Sequence, residues 1–219
     1  MRKELYLFVD GKPQKTVIRN YTEDDLGALI DVQRASFPPP FPEELLWNTE
    51  QLHEHITRFP EGALCAEADG RLIGSMTGLI VNMDNYGRAH DWETITGNGY
   101  IRNHDRDGET LYVVDICVIP EYRKSGIGKW LMQSMYETVV QLGLSRLLGG
   151  GRMPGYAEHA SEVTPEAYLD KVIQGVWKDP VITFLLRCGR MPVGVARNYL
   201  EDEQSHNNAA IMEWRNPFK

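Results

Sequence analysis

Three kinds of residue or segment are scarce in this sequence, and each scarcity removes a class of function. Only three cysteines occur among 219 residues, Cys65, Cys117 and Cys188. They are scattered, odd in number and set in apolar surroundings, which argues against a disulfide framework or a cysteine metal site and for reduced thiols in a cytoplasmic protein. No metal is expected. Long apolar runs are missing as well: the longest are of strand length, so no membrane span and no membrane partner are expected. Met1-Arg2-Lys3 is basic, but Glu4 and Asp10 interrupt any signal-peptide core. Positive charge is the third scarcity. Lys and Arg total 23 against 31 acidic residues, the net charge is −8, and no basic cluster exceeds Arg123-Lys124. Nucleic acid is therefore not expected as a partner.

What is present is organised around 111–133, LYVVDICVIPEYRKSGIGKWLMQ. Residues 111–119 form a short apolar run rich in Val and Ile, the pattern of a strand buried on both faces. Pro120 ends it, having no N–H for a ladder. A polar turn with Gly126 and Gly128 follows, then a helical stripe of Ile127, Leu131, Met135, Val139 and Leu142. Strand, glycine turn and helix together make an anion site. The first N–H groups of a helix lack intrahelical partners, and they lie at the positive end of its dipole. A Walker A loop is excluded because Trp130, not Ser or Thr, follows Gly128-Lys129, and no third glycine completes G-x-G-x-x-G.

The rest of the chain reads as one domain, 1–219, with neither repeat nor low-complexity linker. Residues 1–14 form an N-terminal strand or arm. Asp10-Gly11 and Asp69-Gly70 each join two strand-like runs as hairpins. Thr22 begins a helix through Ser36, and the prolines at 38–40 impose an extended loop. A second helix is expected over 43–59, with Pro42 at its start. Strands follow at 63–68 and 71–83, where Gly74 and Gly78 signal bulges. The polar, glycine-rich insert 84–109 is long enough to suggest a working loop. Beyond the central unit come a strand at 146–150, a glycine turn over 149–156, helices beginning at Thr164-Pro165 and Asp179-Pro180, and a closing antiparallel pair.

Arg123, Gly126 and Gly128, spaced R-x-x-G-x-G after a strand ending V-I-P-E-Y, resemble the acetyl-CoA motif of the GNAT superfamily of N-acetyltransferases. The element order resembles that fold over roughly 15–215. Residues around Trp47, 59–62, the insert and 199–217 look like a bacterial subgroup whose GNAT module precedes a nitrilase-type hydrolase domain in some members. The resemblance implies an α/β (α+β) fold, a mixed, mostly antiparallel sheet of six to seven strands flanked by helices, with the N-terminal hairpin as an extra. It implies acetyl-CoA as co-substrate, bound by Ile116, Cys117 and Val118 and by the turn Arg123, Lys124, Ser125, Gly126, Ile127, Gly128 and Lys129. Arg123 is left open between pairing with phosphate and bracing the turn. A small amine would be the acceptor, and a homodimer is allowed.

For catalysis the ammonium proton must be removed before attack on the thioester. Asp115, an ionisable group in an apolar strand, is the candidate base. The acid tyrosine common in this superfamily would fall at Leu185, which leaves Tyr156, Tyr112 and Tyr122 as substitutes, with Tyr156 named for the site because it lies on the glycine turn. Phe37, Trp47, His90 and Trp92 are the candidate acceptor contacts. Two functions stand: direct acetyl transfer in a ternary complex, or a non-catalytic acyl-CoA-binding module.

Overall fold

In the computed structural model, which describes residues 1–87 and 90–219, one eight-stranded sheet runs in the order β1-β2-β3-β4-β5-β6-β8-β7. Its strands are β1 (Arg2–Val9), β2 (Lys12–Asn20), β3 (Ala63–Ala68), β4 (Arg71–Val81), β5 (Thr110–Val118), β6 (Arg146–Arg152), β7 (Met191–Ala196) and β8 (Ala209–Arg215). The eight strands are six of the expected mixed, mostly antiparallel sheet and the two of the N-terminal hairpin, which joins it directly. Residues 88 and 89 of the 84–109 insert lie outside the described residues.

Both hairpin turns follow their sequence signal. Asp10 and Gly11, and likewise Asp69 and Gly70, all have positive φ, the geometry of turns whose twist matches the flanking strands. The α-helices among the described residues are α1 (Leu26–Ser36), α2 (Thr49–Arg58), α3 (Trp92–Thr96), α4 (Ile127–Gln141), α5 (Pro165–Ile173) and α6 (Ile182–Arg187). The expected helix over 43–59 is shorter. Asn48 accepts from the Gln51 N–H and Gln51 reaches back, a reciprocal cap that starts α2 at Thr49, seven residues beyond Pro42. Leu142 is exposed, not part of the buried stripe of α4.

Among the described residues only β5 and β6 pair in parallel, and only over Thr110↔Arg146, Leu111↔Leu147 and Tyr112↔Leu148. Beyond those pairs the two strands separate while each stays paired on its other side. The β4–β5 register shifts between Thr77 and Gly78, so Val114 is the extra residue of a bulge. A second shift, between Ala66 and Glu67 of β3, falls beside Gly74. Alternation across these ladders puts Met76, Ile116 and Val118 on the face covered by α4. Ser75, Thr77, Asp115 and Cys117 lie on the face covered by α1.

Candidate active site: the gap between two parallel strands

The gap has polar walls. Ile119 N–H donates to Ile73 (3.0 Å), so 119 and 73 form a hydrogen-bonded pair. Alternation then turns the N–H and C=O of Ile116 and Val118 away from β4 and into the gap. On β6, Asn216 N–H donates to Ser145 (3.0 Å), which by the same alternation turns Gly150 and Arg152 toward the gap. Two carbonyls on the β5 side are already engaged. Trp92 Nε1 donates to Val114 at the bulge (3.0 Å), and Arg123 Nε donates to Val118 (3.2 Å).

The mouth of the gap meets the start of α4. Lys124 (φ 66°) and Gly126 (φ 93°) both take left-handed conformations there. Among the described residues no protein acceptor meets the N–H groups of Lys124, Gly126, Gly128 and Lys129. A Cβ on Gly126 would meet nothing within 4 Å, so open space lies over this nest. Gly128 has another reason to be small: its Cβ would stand 3.3 Å from the ring of Phe184. Arg123 also donates through Nη2 to the Ser36 carbonyl at the end of α1 (2.7 Å). These bonds make it a brace of the turn. Ser125 Oγ donates to Tyr122 (2.7 Å), and the Ile127 side chain is buried in the core.

The closed end of the gap is formed by the glycine run of β6. A Cβ on Gly149 would press on Val113 (3.0 Å) and on Arg190 Nη2 (3.1 Å), and one on Gly150 would enter the Tyr199 ring (2.3 Å). On Gly151 it would strike Leu185 (2.6 Å). The run therefore admits three side chains close to the backbone. Tyr199 Oη lies 2.9 Å from Tyr112 Oη, which lies 2.8 Å from His90 Nε2. His90 Nδ1 faces the Gly87 carbonyl (3.3 Å), so Nδ1 carries the proton and Nε2 accepts from Tyr112. Burial holds the His90 pKa below its usual value.

Asp115 faces α1 just beyond the bulge. Its Oδ2 is buried without a partner, and burial pushes its pKa up to about 7, partly offset by the Cys117 thiol, the Ile116 N–H and the Gln33 amide. Cys117 is buried, 3.3 Å from Ser75 Oγ, and burial together with the nearby Asp115 pushes its thiol pKa well up. A covalent acyl-cysteine route is therefore disfavoured. Cys117→Ala is expected to keep turnover within about tenfold of wild type; an acylated Cys117 trapped by mass spectrometry would contradict this.

The aromatic residues close the α1 side. Phe37 and Phe41 stack (4.8 Å) on the proline loop, and the Arg152 guanidinium lies 5.0 Å over Phe41 while bound to Asp202. Trp47 is buried, its N–H held by the Gln33 side chain, and it stacks on Trp92 (6.2 Å). Gln51 donates to Asn98 and His55 Nε2 to Gly99, which docks the insert on α2. Trp92 and His90 thus serve as supports of the gap. Tyr156 is not brought to Asp115 by any contact: it is buried, donates to the Val163 carbonyl (3.1 Å) and packs on Tyr168 and His206. Tyr199, Arg190 and Gln33 were absent from the sequence-based site. Gln33 lies in an expected helix, Arg190 just past an expected helix end and Tyr199 in the expected closing pair of strands, so no local signal marks any of them as part of the site.

A parallel pair that splays toward a helix start rich in free N–H groups defines a class, the acyl-CoA-dependent acyltransferases. The profile of the acetyltransferase (GNAT) family matches residues 26–153, and the chain belongs to that family. It is 54% identical to the uncharacterized N-acetyltransferase YkwB of Bacillus subtilis (strain 168) over 216 residues, 99% of this chain and 96% of that protein. It is also 39% identical to the probable hydrolase YhcX of the same organism over 204 residues, 93% of this chain but only 39% of YhcX. Among solved structures, the GphF GNAT-like decarboxylase in complex with isobutyryl-CoA superposes with a TM-score of 0.76 at 22% identity, over 90% of this chain and 98% of that one. The loading GNATL domain of CurA from Lyngbya majuscula gives 0.77 at 16%, over 91% and 97%. At such identities these two speak for the fold alone. No cluster of three or more His, Cys, Asp or Glu among the described residues could hold a metal ion, and no helix is long and apolar enough to cross a membrane.

Proposed function

We propose that this protein transfers an acetyl group from acetyl-CoA to a small amine by direct attack within a ternary complex. The observation that carries the reading is the continuity of the gap with the nest at α4: a diphosphate on the free N–H groups, and pantetheine lying along Ile116 and Val118 as an added strand. Support for the co-substrate comes from family membership and from the isobutyryl-CoA bound by the GphF decarboxylase. Val118 N–H is the donor for the thioester carbonyl. Asp115, with one oxygen unpartnered and a pKa near neutrality, takes the ammonium proton, directly or through one water. The amine enters from the side closed by Phe37 and Trp47. Tyr156 is left out of this scheme because its hydroxyl proton is already given to Val163.

The chain also fits the kind of module that precedes a nitrilase-type domain, a reading supported by its match to 39% of YhcX; no hydrolase activity comes with it. A second function, a non-catalytic acyl-CoA-binding module, is favoured by one observation: Leu185, packed against Gly151, has no proton for the departing thiolate.

CoA is expected to raise the unfolding free energy by roughly 2.7 kcal/mol at a hundredfold excess over Kd, because it binds only the folded state. Thermal unfolding with and without CoA measures this, and no shift at millimolar CoA would sink both readings. Thiol release from acetyl-CoA with a panel of amines then separates them: release with at least one amine establishes the enzyme, and none with any leaves the binding module.

A further inference from the structure

We propose that the closed end of the gap is built for an acyl group that itself carries a carboxylate, with Arg190 as its counter-ion. The proposal rests on the acyl-CoA reading above and narrows the donor class within it.

Arg190 is only 2% exposed, and its Nε is one of three buried side-chain polar atoms without a partner among the described residues. Asp115 Oδ2, across the sheet, is another. The guanidinium donates through Nη2 to the carbonyls of Gly149 (3.2 Å) and Met212, and no carboxylate among the described residues pairs with it. Burial lowers its pKa to about 10, so the group stays charged at neutral pH. Two backbone carbonyls do not neutralise a buried cation, and a charge taken out of water is costly unless a counter-ion meets it. Nothing among the described residues supplies that counter-ion. A ligand can.

The place fits the ligand. The last β5–β6 pair is Tyr112↔Leu148, so Gly149 and Val113 are the first residues past the point where the strands part. Arg190 Nη2 stands 3.1 Å from the Cβ position of Gly149, which itself lies 3.0 Å from Val113 Cβ. The pantetheine arm enters from the opposite end, at Val118 and α4. Its thioester therefore leads inward, and the tail of the acyl group points at this parting, beside which the guanidinium lies over the Gly149↔Met212 pair of β6 and β8. On the other face the Tyr112 hydroxyl donates to His90 and that of Tyr199 to Tyr112, so neither is free to hold an anion. Arg190 remains as the group suited to a carboxylate, through a charge-assisted bond. An acetyl group presents it only a methyl.

Calorimetric titration of CoA, acetyl-CoA, malonyl-CoA and succinyl-CoA against wild type, Arg190→Lys and Arg190→Met tests this, with thioester integrity followed by mass spectrometry. Wild type is expected to bind at least one dicarboxylic thioester about tenfold or more tightly than acetyl-CoA, the scale of one charge-assisted contact. Arg190→Met should abolish the preference while binding CoA itself as wild type does, and Arg190→Lys should keep part of it. Equal affinity of wild type for acetyl-CoA and both dicarboxylic thioesters overturns the proposal, as does a preference that survives Arg190→Met. Should Arg190→Met not fold, Arg190→Lys against wild type decides: an unchanged preference counts against Arg190. Failure of all four ligands to bind wild type refutes the acyl-CoA reading itself, and is told apart because CoA is among them.

Discussion

Asp115→Asn is expected to lower kcat by about 10²-fold or more while CoA affinity stays unchanged, the usual scale for losing a general base. The substitution keeps the shape at the bulge and removes only basicity. With a carboxyl pKa of about 7, wild-type kcat should rise with pH through neutrality, and that rise should vanish in the variant. Stability supplies an independent check whose sign is opposite to the usual carboxylate case. The folded pKa lies above the ordinary aspartate value of 3.8, so the folded protein holds this proton more tightly than the unfolded chain. The resulting stabilisation is complete below about pH 4 and is lost as pH rises through about 7. Asp115→Asn should therefore gain stability relative to wild type as pH rises across that interval, in urea unfolding at several pH values. A relative gain for wild type at high pH would mean that the carboxylate is held as an ion by a partner. Unchanged kcat per folded molecule would remove Asp115 from catalysis.

Gly126→Val is expected to abolish most of the stabilisation that CoA gives the wild type, roughly 2.7 kcal/mol at a hundredfold excess. Two causes act together. The residue sits at φ 93°, where a β-branched side chain is strained, so the turn must rearrange. Its Cβ would also project into the open space above the free N–H groups of Lys124, Gly128 and Lys129, the position a diphosphate would need. Contacts with the rest of the protein do not enter, since beyond the residue's own chain neighbours nothing lies within 4 Å of that Cβ. Gly126→Ala should lose less, because its methyl is smaller. Thermal unfolding of the three proteins across a CoA titration measures both the intrinsic cost and the lost ligand effect. A valine variant that is destabilised but keeps the full CoA shift would detach the diphosphate from this turn.

Much of the frame was legible in the chain because local chemistry determines it. Asp10-Gly11 and Asp69-Gly70 make hairpins wherever they occur between strands, since both residues must take positive φ. The apolar run at 111–119, the break at Pro120 and the glycines at 126 and 128 specify strand, turn and helix start by themselves. The start of α2 was misread for a local reason too: Pro42 is a good first residue, but the Asn48–Gln51 cap satisfies two orphan N–H groups and wins.

What the chain by itself determined, then, is the anion-binding turn and the strand that leads to it. Only the tertiary structure decided what lies at the other end of the gap. The parting of β5 and β6 depends on which strand pairs with which, across more than thirty positions of sequence, and no periodicity reports it. The glycine run at 149–151 reads as a turn in sequence and is a strand in the fold, small because Arg190, Tyr199 and Leu185 arrive from distant segments to lie against it. Burial made the same kind of difference to charge. Arg190 and Asp115 are ordinary ionisable residues in the sequence. Enclosed by the sheet and its helices, each lost water on one polar atom without gaining a partner, and long-range packing alone could produce that.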